Sequence, residues 1–115
     1  MGAINPAGLP VIMEDEHVEV RMAEAGEMTM LWSKLRKGAD FGPTLAGQPN
    51  GQCSAPHWGY VIKGKLLLRT DHGEEVYSGG EAFYMAPGHV LVALEDSESV
   101  DFTPTEALTR MYAPE

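Results

Sequence analysis

Cysteine is nearly absent from this sequence: Cys53 is the single one among 115 residues. One cysteine excludes an intrachain disulfide framework, and a chain without disulfides is typical of a reducing compartment, so we expect a cytoplasmic protein.

Basic residues are scarce as well, since 8 Lys and Arg stand against 17 Asp and Glu and leave a formal net charge of −9. Phosphate backbones and anionic membrane surfaces repel a chain this acidic, so we expect neither nucleic acid nor a membrane as a partner.

Long hydrophobic runs are missing too. Residues 1–16 carry Pro6 and Pro10, contain no basic residue and never sustain the apolar stretch of a signal peptide or membrane span, so we expect a loose N-terminal arm. The sequence also lacks a glycine-rich phosphate loop, a serine nucleophile elbow, a zinc-protease motif and a Cys-X-X-Cys pair, which disfavours hydrolases and nucleotide-binding proteins. With 43% apolar residues, residues 1–115 are long enough for one domain with a real core and too short for two.

What the sequence has instead is regular alternation. Turn residues recur about every eight to twelve positions, as in antiparallel sandwiches and barrels. Residues 17–22 alternate apolar and polar side chains, and residues 65–70 contain three consecutive leucines that imply burial on both faces. Residues 39–52 are rich in Gly, Pro and Asn, so we expect a long loop that covers part of the molecule. At residues 103–106 a capping threonine, a proline and a glutamate coincide and predict a short C-terminal helix through Met111.

Two spacings in the middle of the chain match the motifs of a known superfamily. His57 is followed after six residues by Gly64, with the sequence Tyr60-Val61-Ile62 just before that glycine. Gly80 is followed after five residues by Ala86-Pro87-Gly88. In this glycine frame the chain resembles the cupins, whose two short motifs lie on facing strands of a small double-sheet jelly roll.

The resemblance implies an all-β protein, the cupin double-stranded β-helix or jelly-roll barrel, with its core at residues 27–103 followed by the short C-terminal helix. The run Pro56 to Val61, together with Pro87-Gly88-His89, is similar to a subgroup of small single-domain RmlC-like cupins. Small cupins are commonly dimeric, so the resemblance also implies a homodimer. A further hypothesis makes Trp58 and the 39–52 loop a protein interface instead of a cavity lid. Cupins include dioxygenases, isomerases, decarboxylases, storage proteins and sugar sensors, so membership narrows the shape and not the activity.

The metal-binding positions of the family are only partly kept. Metal-dependent cupins hold their ion with three imidazoles and a carboxylate, and this chain cannot repeat that set. His57 stands at the family's Glu position, Cys53 falls at the second histidine of the first motif and Gly51 at the first. In the second motif the histidine position falls on Leu91, while His89 lies two residues earlier. Any metal site in this chain is therefore of a non-standard kind.

Three residues remain that could bind a metal: His57, His89 and Cys53. Residues of equal parity share one face of a strand, so Cys53 projects with His57, provided that the strand already begins at Cys53. On the facing strand, His89 shares its face with Leu91. A thiolate, two imidazoles and a water suit tetrahedral zinc, and other transition metals such as iron, manganese, nickel or copper are alternatives.

Two functional hypotheses stay open, so the sequence does not decide whether the protein is an enzyme. In the first, the barrel cavity binds a small organic ligand: His57 and His89 are its polar anchors, Gly59 leaves room by lacking a side chain, and Leu91 lines the wall. In the second, the protein is a metal-dependent cupin enzyme of the dioxygenase, isomerase or decarboxylase type. Its metal ligands are then His57, His89 and Cys53.

Each of these residues also has a purely structural interpretation. Cys53 on its own is more often a small buried apolar residue than a ligand. His89 follows a turn and could bond to the backbone, and a neighbouring side chain could pack over Gly59. His17 and His72 lie near a strand start and at a hairpin tip, where solvated surface residues are expected.

Overall fold

The computed structural model describes residues 2–111 and shows two antiparallel sheets followed by one short helix. The larger sheet has six strands in the order β1-β2-β3-β9-β4-β7, and the smaller has three in the order β6-β5-β8. The predicted all-β class with a short C-terminal helix is confirmed. Within the described range, no helix is long and apolar enough to cross a membrane. The elements are β1 Val11–Glu14, β2 Val18–Ala25, β3 Met28–Leu35, β4 His57–Lys63, β5 Lys65–Thr70, β6 Gly73–Ser78, β7 Ala82–Met85, β8 His89–Ala93, β9 Ser97–Pro104 and α1 Thr105–Met111.

The core lies between the two sheets. Leu66 and Leu68 on β5 and Val61 on β4 are among its most deeply buried side chains, with at most 1% exposed. Leu67, between them, is only half-buried. The leucine run predicted that both faces of β5 are buried, but the face of Leu66 and Leu68 is buried more deeply than the face of Leu67. Tyr77 stacks on Phe83 with ring centroids 5.1 Å apart, which joins β6 of the smaller sheet to β7 of the larger one.

The larger sheet begins earlier in the chain than the sequence predicts. β1 lies inside the predicted loose arm and pairs with β2, so the sheet starts at Val11, well before the predicted barrel core. Arg21 fixes the segment before it, because its Nη1 donates hydrogen bonds to the carbonyl oxygens of Pro6, Ala7 and Leu9 at 3.2–3.3 Å. Alternation over four residues is too short a signal to separate such a strand from a loop.

The last strand turns a polar face inwards. Ser99 and Thr103 on β9 are buried, while Phe102 is 38% exposed. Thr103 donates a hydrogen bond from Oγ1 to the carbonyl oxygen of Pro56 at 2.6 Å, so it does not cap the helix as its position predicts. Helix α1 begins two residues later, at Thr105. The polar inward face is what allows a charged side chain on β9 to reach the interior.

The 39–52 loop forms no strand of its own, as expected, and contains two short 3-10 turns at Pro43–Leu45 and Pro49–Gly51. It is tied to β8, because the N–H of Phe41 donates a hydrogen bond to the carbonyl oxygen of Leu91 at 3.0 Å. The loop is thereby held against the smaller sheet.

Candidate metal site and its cavity

Two histidines from different sheets meet in the interior. His57 is the first residue of β4 in the larger sheet, and His89 is the first residue of β8 in the smaller one. The residues are 7% and 3% exposed, and their ring centroids lie 5.3 Å apart in an edge-to-face arrangement. The two imidazoles predicted to meet are therefore neighbours in the same buried region.

Cys53 joins them through the backbone and not through strand alternation. β4 begins only at His57, so the predicted condition of a strand starting at Cys53 is not met. Cys53 instead forms an isolated bridge with His89, in which its N–H donates to the His89 carbonyl oxygen at 2.8 Å. Its Sγ lies 3.5 Å from Nε2 of His57. One ligand atom from each of the three residues lies within 4.8 Å of the others, and we call this group the donor cluster.

The second ring nitrogen of each histidine faces an oxygen. Nδ1 of His89 lies 2.6 Å from the carbonyl oxygen of Ala86, and since a carbonyl only accepts, this nitrogen carries the proton. Nδ1 of His57 faces Oδ2 of Asp101 at 3.1 Å. Metal-binding histidines are usually oriented in this way, by a carbonyl or carboxylate at the nitrogen that points away from the ion. Nε2 is then the nitrogen that each ring offers to a ligand.

Asp101 is the functional candidate that sequence reasoning missed. It lies on β9, opposite Gly59 of β4, with its side chain 15% exposed. Oδ1 of Asp101 and Nδ1 of His57 are buried, and neither finds a well-aligned hydrogen-bond partner among the described residues. A buried carboxylate is costly unless a positive charge lies nearby. The available signal was alternation on β9, which puts Asp101 on the same face as Ser99 and Thr103.

The charges of the cluster follow from these contacts. Burial opposes ionisation of the Cys53 thiol, but the interactions with His57 and then His89 outweigh it and lower the pKa of Cys53 from 9.0 to about 6. Burial also opposes protonation of His57, yet Asp101 and then Cys53 outweigh it and raise the pKa of His57 from 6.5 to about 10. Cys53 is therefore a thiolate at neutral pH, the form that binds metals and attacks electrophiles.

An apolar cavity of about 260 Å³ opens beside the donor cluster. Its wall includes Leu91 of β8, together with Phe41 and Leu45, so the 39–52 loop covers part of the cavity as a lid. The other lining side chains, apart from the donor cluster and Asp101, are Ile12, Met13, Val20, Met22, Leu31, Ser33, Thr44, Met85 and Leu108.

Gly59 is not part of this wall. A Cβ atom on Gly59 would overlap the carbonyl oxygen of Val100, the ring of Phe83 and Cβ of Asp101. Neighbouring groups therefore fill the space left by the missing side chain, and it gives no room to a ligand, contrary to the first hypothesis. The glycine instead lets β9, with Asp101, approach β4 closely.

The two remaining histidines lie outside the donor cluster. His17 and His72 are exposed, as expected for surface residues. His17 lines a separate depression of about 550 Å³, whose wall carries charges of both signs, including Glu14, Lys34 and Arg36. This depression is larger than the apolar cavity, but its charged side chains can pair with each other and with water. The apolar cavity, which the donor cluster lines, is the better candidate site.

Comparison with known proteins bears on the fold. No family model matches the sequence, and no curated protein matches it. Among solved structures, KdgF from Halomonas sp. is 24% identical with a TM-score of 0.64, over 88% of this chain and 91% of that one. An RmlC-like cupin from Shewanella frigidimarina is 15% identical with a TM-score of 0.64, over 88% and 87%. FeII HppE is 8% identical with a TM-score of 0.64, over 90% and 60%. This chain has the cupin fold.

In this cupin-fold chain, both glycines of the motif frame have a structural cause. Gly64 and Gly80 adopt φ values of 95° and 91°, which side chains disfavour, and a Cβ on Gly64 would also collide with Ser97. The donor cluster departs from the three imidazoles and one carboxylate of metal-dependent cupins. Its chemistry still fits a transition metal, because a thiolate and two oriented imidazoles converge and a buried carboxylate faces one ring.

Proposed function

We propose that this cupin binds a transition-metal ion at the donor cluster and a small, mainly apolar organic molecule in the cavity beside it. The observation that carries the proposal is the convergence of a thiol and two imidazoles within 4.8 Å, with an oxygen facing Nδ1 of each ring. Sulfur and imidazole donors suit zinc, iron, nickel or copper, whereas magnesium and calcium prefer oxygen.

Metal-free anchoring of an organic ligand explains less of this arrangement. A histidine that anchors a ligand needs a nitrogen free to face it, but Nε2 of His57 lies 3.5 Å from Sγ of Cys53. The Cys53 thiolate and the Asp101 carboxylate flank the ring of His57, and the raised pKa of about 10 means that His57 carries one positive charge in the metal-free protein. A divalent cation would displace the proton of His57, and its two charges would then balance the thiolate and the carboxylate.

The cavity supports the second part of the proposal. Its volume of about 260 Å³ lies just below the range of about 300–1,000 Å³ that is typical of sites for drug-sized ligands. Apolar side chains form most of its wall, and the polar groups gather at the donor cluster. We therefore expect a small ligand with an apolar body and one polar end directed at the cluster.

Metal titration tests the proposal. The protein is stripped with a chelator, incubated separately with zinc, iron(II), manganese, nickel and copper, and desalted before elemental analysis. We expect about one ion per chain in the wild type and in His72→Ala, which removes an exposed histidine outside the cluster. We expect His89→Ala to lose the ion while circular dichroism shows a folded barrel. A wild type that stays metal-free with all five ions, or a His89→Ala variant that retains its ion, contradicts the proposal.

A thiol nucleophile is the second candidate function. Cys53, His57 and Asp101 stand in a row, with separations of 3.5 Å and 3.1 Å, in the order of a nucleophile, its base and the group that orients the base. In this interpretation His89 is not part of the row, and it only helps His57 to stabilise the thiolate. A protein that binds no metal but is rapidly acylated at Cys53 by an activated ester, at a rate that His57→Asn lowers far more than His89→Ala, would favour the nucleophile over the metal site.

A further inference from the structure

A fourth possible donor stands next to the donor cluster. Sδ of Met111 lies 3.8 Å from Sγ of Cys53. Met111 is the last residue of α1, so the C-terminal helix delivers this sulfur to the cluster. A tetrahedral ion needs four ligands, and the cluster itself supplies three.

The position of Met111 is fixed from both ends of the helix. At the start of α1, the hydroxyls of Thr29 and Thr105 are hydrogen-bonded at 2.7 Å, and the N–H of Thr105 donates to the carbonyl oxygen of Glu27 at 3.0 Å. At its end, Nε2 of Gln48 donates to the carbonyl oxygen of Met111 at 3.2 Å. The 39–52 loop and β3 therefore both hold the helix, and its last turn stays beside the cavity.

Two separations between donor atoms match those of a tetrahedral site. With the zinc–thiolate and zinc–imidazole bond lengths of about 2.3 Å and about 2.0–2.1 Å as a guide, two sulfur ligands of a tetrahedron lie roughly 3.8 Å apart, and a sulfur and a nitrogen roughly 3.6 Å apart. Sγ of Cys53 lies 3.8 Å from Sδ of Met111 and 3.5 Å from Nε2 of His57. Two edges of a coordination tetrahedron are thus already present in the folded chain.

The donor set discriminates between metals. Zinc sites in proteins are built from Cys, His, Asp and Glu. Thiolate and thioether sulfur together are soft ligands that favour Cu(I), and two imidazoles with a thiolate and a methionine are the donors of blue-copper sites. A methionine as fourth donor therefore shifts the preference of the cluster from zinc towards copper.

We propose that Met111 is the fourth ligand of the donor cluster and that the ion is copper. This inference rests on the proposed function, because it requires an ion at the cluster, and it deepens that function by naming the ion and its last ligand. Four protein ligands leave no open position of the kind that catalytic metal sites keep. The small molecule in the cavity then lies beside the ion and not on it.

Ordinary packing is the competing explanation, since a methionine sulfur also makes favourable contacts as a soft apolar group. Met111→Leu separates the two, because leucine nearly keeps the volume and removes the sulfur. Packing predicts unchanged metal affinity. Ligation predicts weaker Cu(I) binding with little change for zinc.

The experiment measures Cu(I) and Zn(II) affinities by competition with chromophoric chelators, in the wild type, Met111→Leu and the control Met28→Leu. Met28 lies on β3 and does not line the cavity. Cu(I) is the informative state, because Cu(II) outcompetes zinc at most sites. Loss of an outer-shell partner already costs about 10–100-fold in metal affinity, so we expect Met111→Leu to weaken Cu(I) binding by about tenfold or more. As a second measurement, the visible thiolate-to-copper(II) absorption should change in Met111→Leu and not in Met28→Leu.

Three other outcomes overturn the inference and are distinguishable from one another. Equal Cu(I) affinity in Met111→Leu and Met28→Leu, with binding lost in Cys53→Ser, removes Met111 as a ligand and leaves the proposed function standing. Zinc bound more tightly than Cu(I) by the wild type removes copper as the ion. A wild type that binds neither metal overturns the inference together with the proposed function.

Discussion

At the scale of single residues, Asp101 is the neighbour that most affects the ring of His57, a proposed metal ligand. Its carboxylate faces Nδ1 of His57 at 3.1 Å. Because loss of such an outer partner typically lowers metal affinity about 10–100-fold, we expect Asp101→Asn to weaken metal binding by that factor while the barrel stays folded. Competition titration measures the effect, and Glu74→Gln, at an exposed position on β6, is the control with the same change of charge. Equal affinities in the two variants would rule out an orienting role for Asp101.

The acidity of Cys53 gives a prediction for the metal-free protein. The pKa of Cys53 is lowered to about 6, so the thiolate persists about three pH units below the usual range of 9.0. We expect the rate of alkylation by iodoacetamide, followed by mass spectrometry, to reach half of its maximum near pH 6. Removing the imidazole in His57→Asn takes away the largest stabilising contact of the thiolate, so the midpoint should move upwards. An unchanged midpoint in this variant means that His57 is not the cause.

The sequence predicts part of this site and misses the rest for a physical reason. His57 and Cys53 are recognisable because they fall at ligand positions of the first motif, and His89 because it directly follows the Pro-Gly of the second. Asp101 and Met111 come from β9 and α1, far along the chain, and their approach depends on strand register and on how the helix docks. Neither strand register nor helix docking can be predicted from a local sequence pattern.

At the scale of elements, the turn between β4 and β5 explains why the motif frame has a glycine at position 64. Gly64 combines a φ of 95° with contacts that leave no space for a Cβ, while Gly73 has a φ of 130° and open space around it. A side chain in the left-handed region costs roughly 1–2 kcal/mol, and overpacking adds about 1–3 kcal/mol. We therefore expect Gly64→Ala to destabilise the protein by about 2–5 kcal/mol and Gly73→Ala by clearly less. Urea unfolding measures both, and equal losses would show that crowding at Gly64 is relieved.

Elements with strong local signals are predicted well, and those that depend on tertiary contacts are not. β5 spans Lys65–Thr70, as its leucine run and flanking turns indicate. Strand β1 is missed because it is short, and its pairing with β2 is not visible locally. Cys53 shows the difference most clearly. Strand parity correctly predicts that Cys53 lies near His57, but β4 begins only at His57. The contact that positions Cys53 is its isolated bridge to His89.

At the scale of the whole molecule, the homodimer stays a prediction, and an exposed aromatic patch indicates where it would form. Trp58, Tyr60, Tyr84 and Phe102 on β4, β7 and β9 are 38–50% exposed, and the rings of Trp58 and Tyr84 lie 5.2 Å apart. Contiguous exposed apolar groups of this kind often mark interfaces. β7 also forms one edge of the larger sheet, so a second copy related by a two-fold axis could cover both.

Light scattering coupled to size exclusion tests this assignment. We expect a dimer for the wild type and a shift to monomer in Trp58→Ala, because large aromatic side chains contribute most of the energy at such contacts. Val76→Ala is the control, since Val76 is 51% exposed on β6 of the other sheet. A wild-type monomer at all concentrations, or a dimer that Trp58→Ala leaves intact, contradicts the patch as the dimer contact.

His57 and His89 belong to opposite walls of the barrel, and this has a mechanical consequence for the molecule. An ion bound by both histidines would cross-link the two sheets. At free ion concentrations 100 times the dissociation constant, mass action adds about 2.7 kcal/mol to the folded state. Heating scans should then show a melting point that climbs with metal supply and falls again when a chelator withdraws it. The thermal stability of this small barrel would then depend on the available metal concentration as well as on its own side chains.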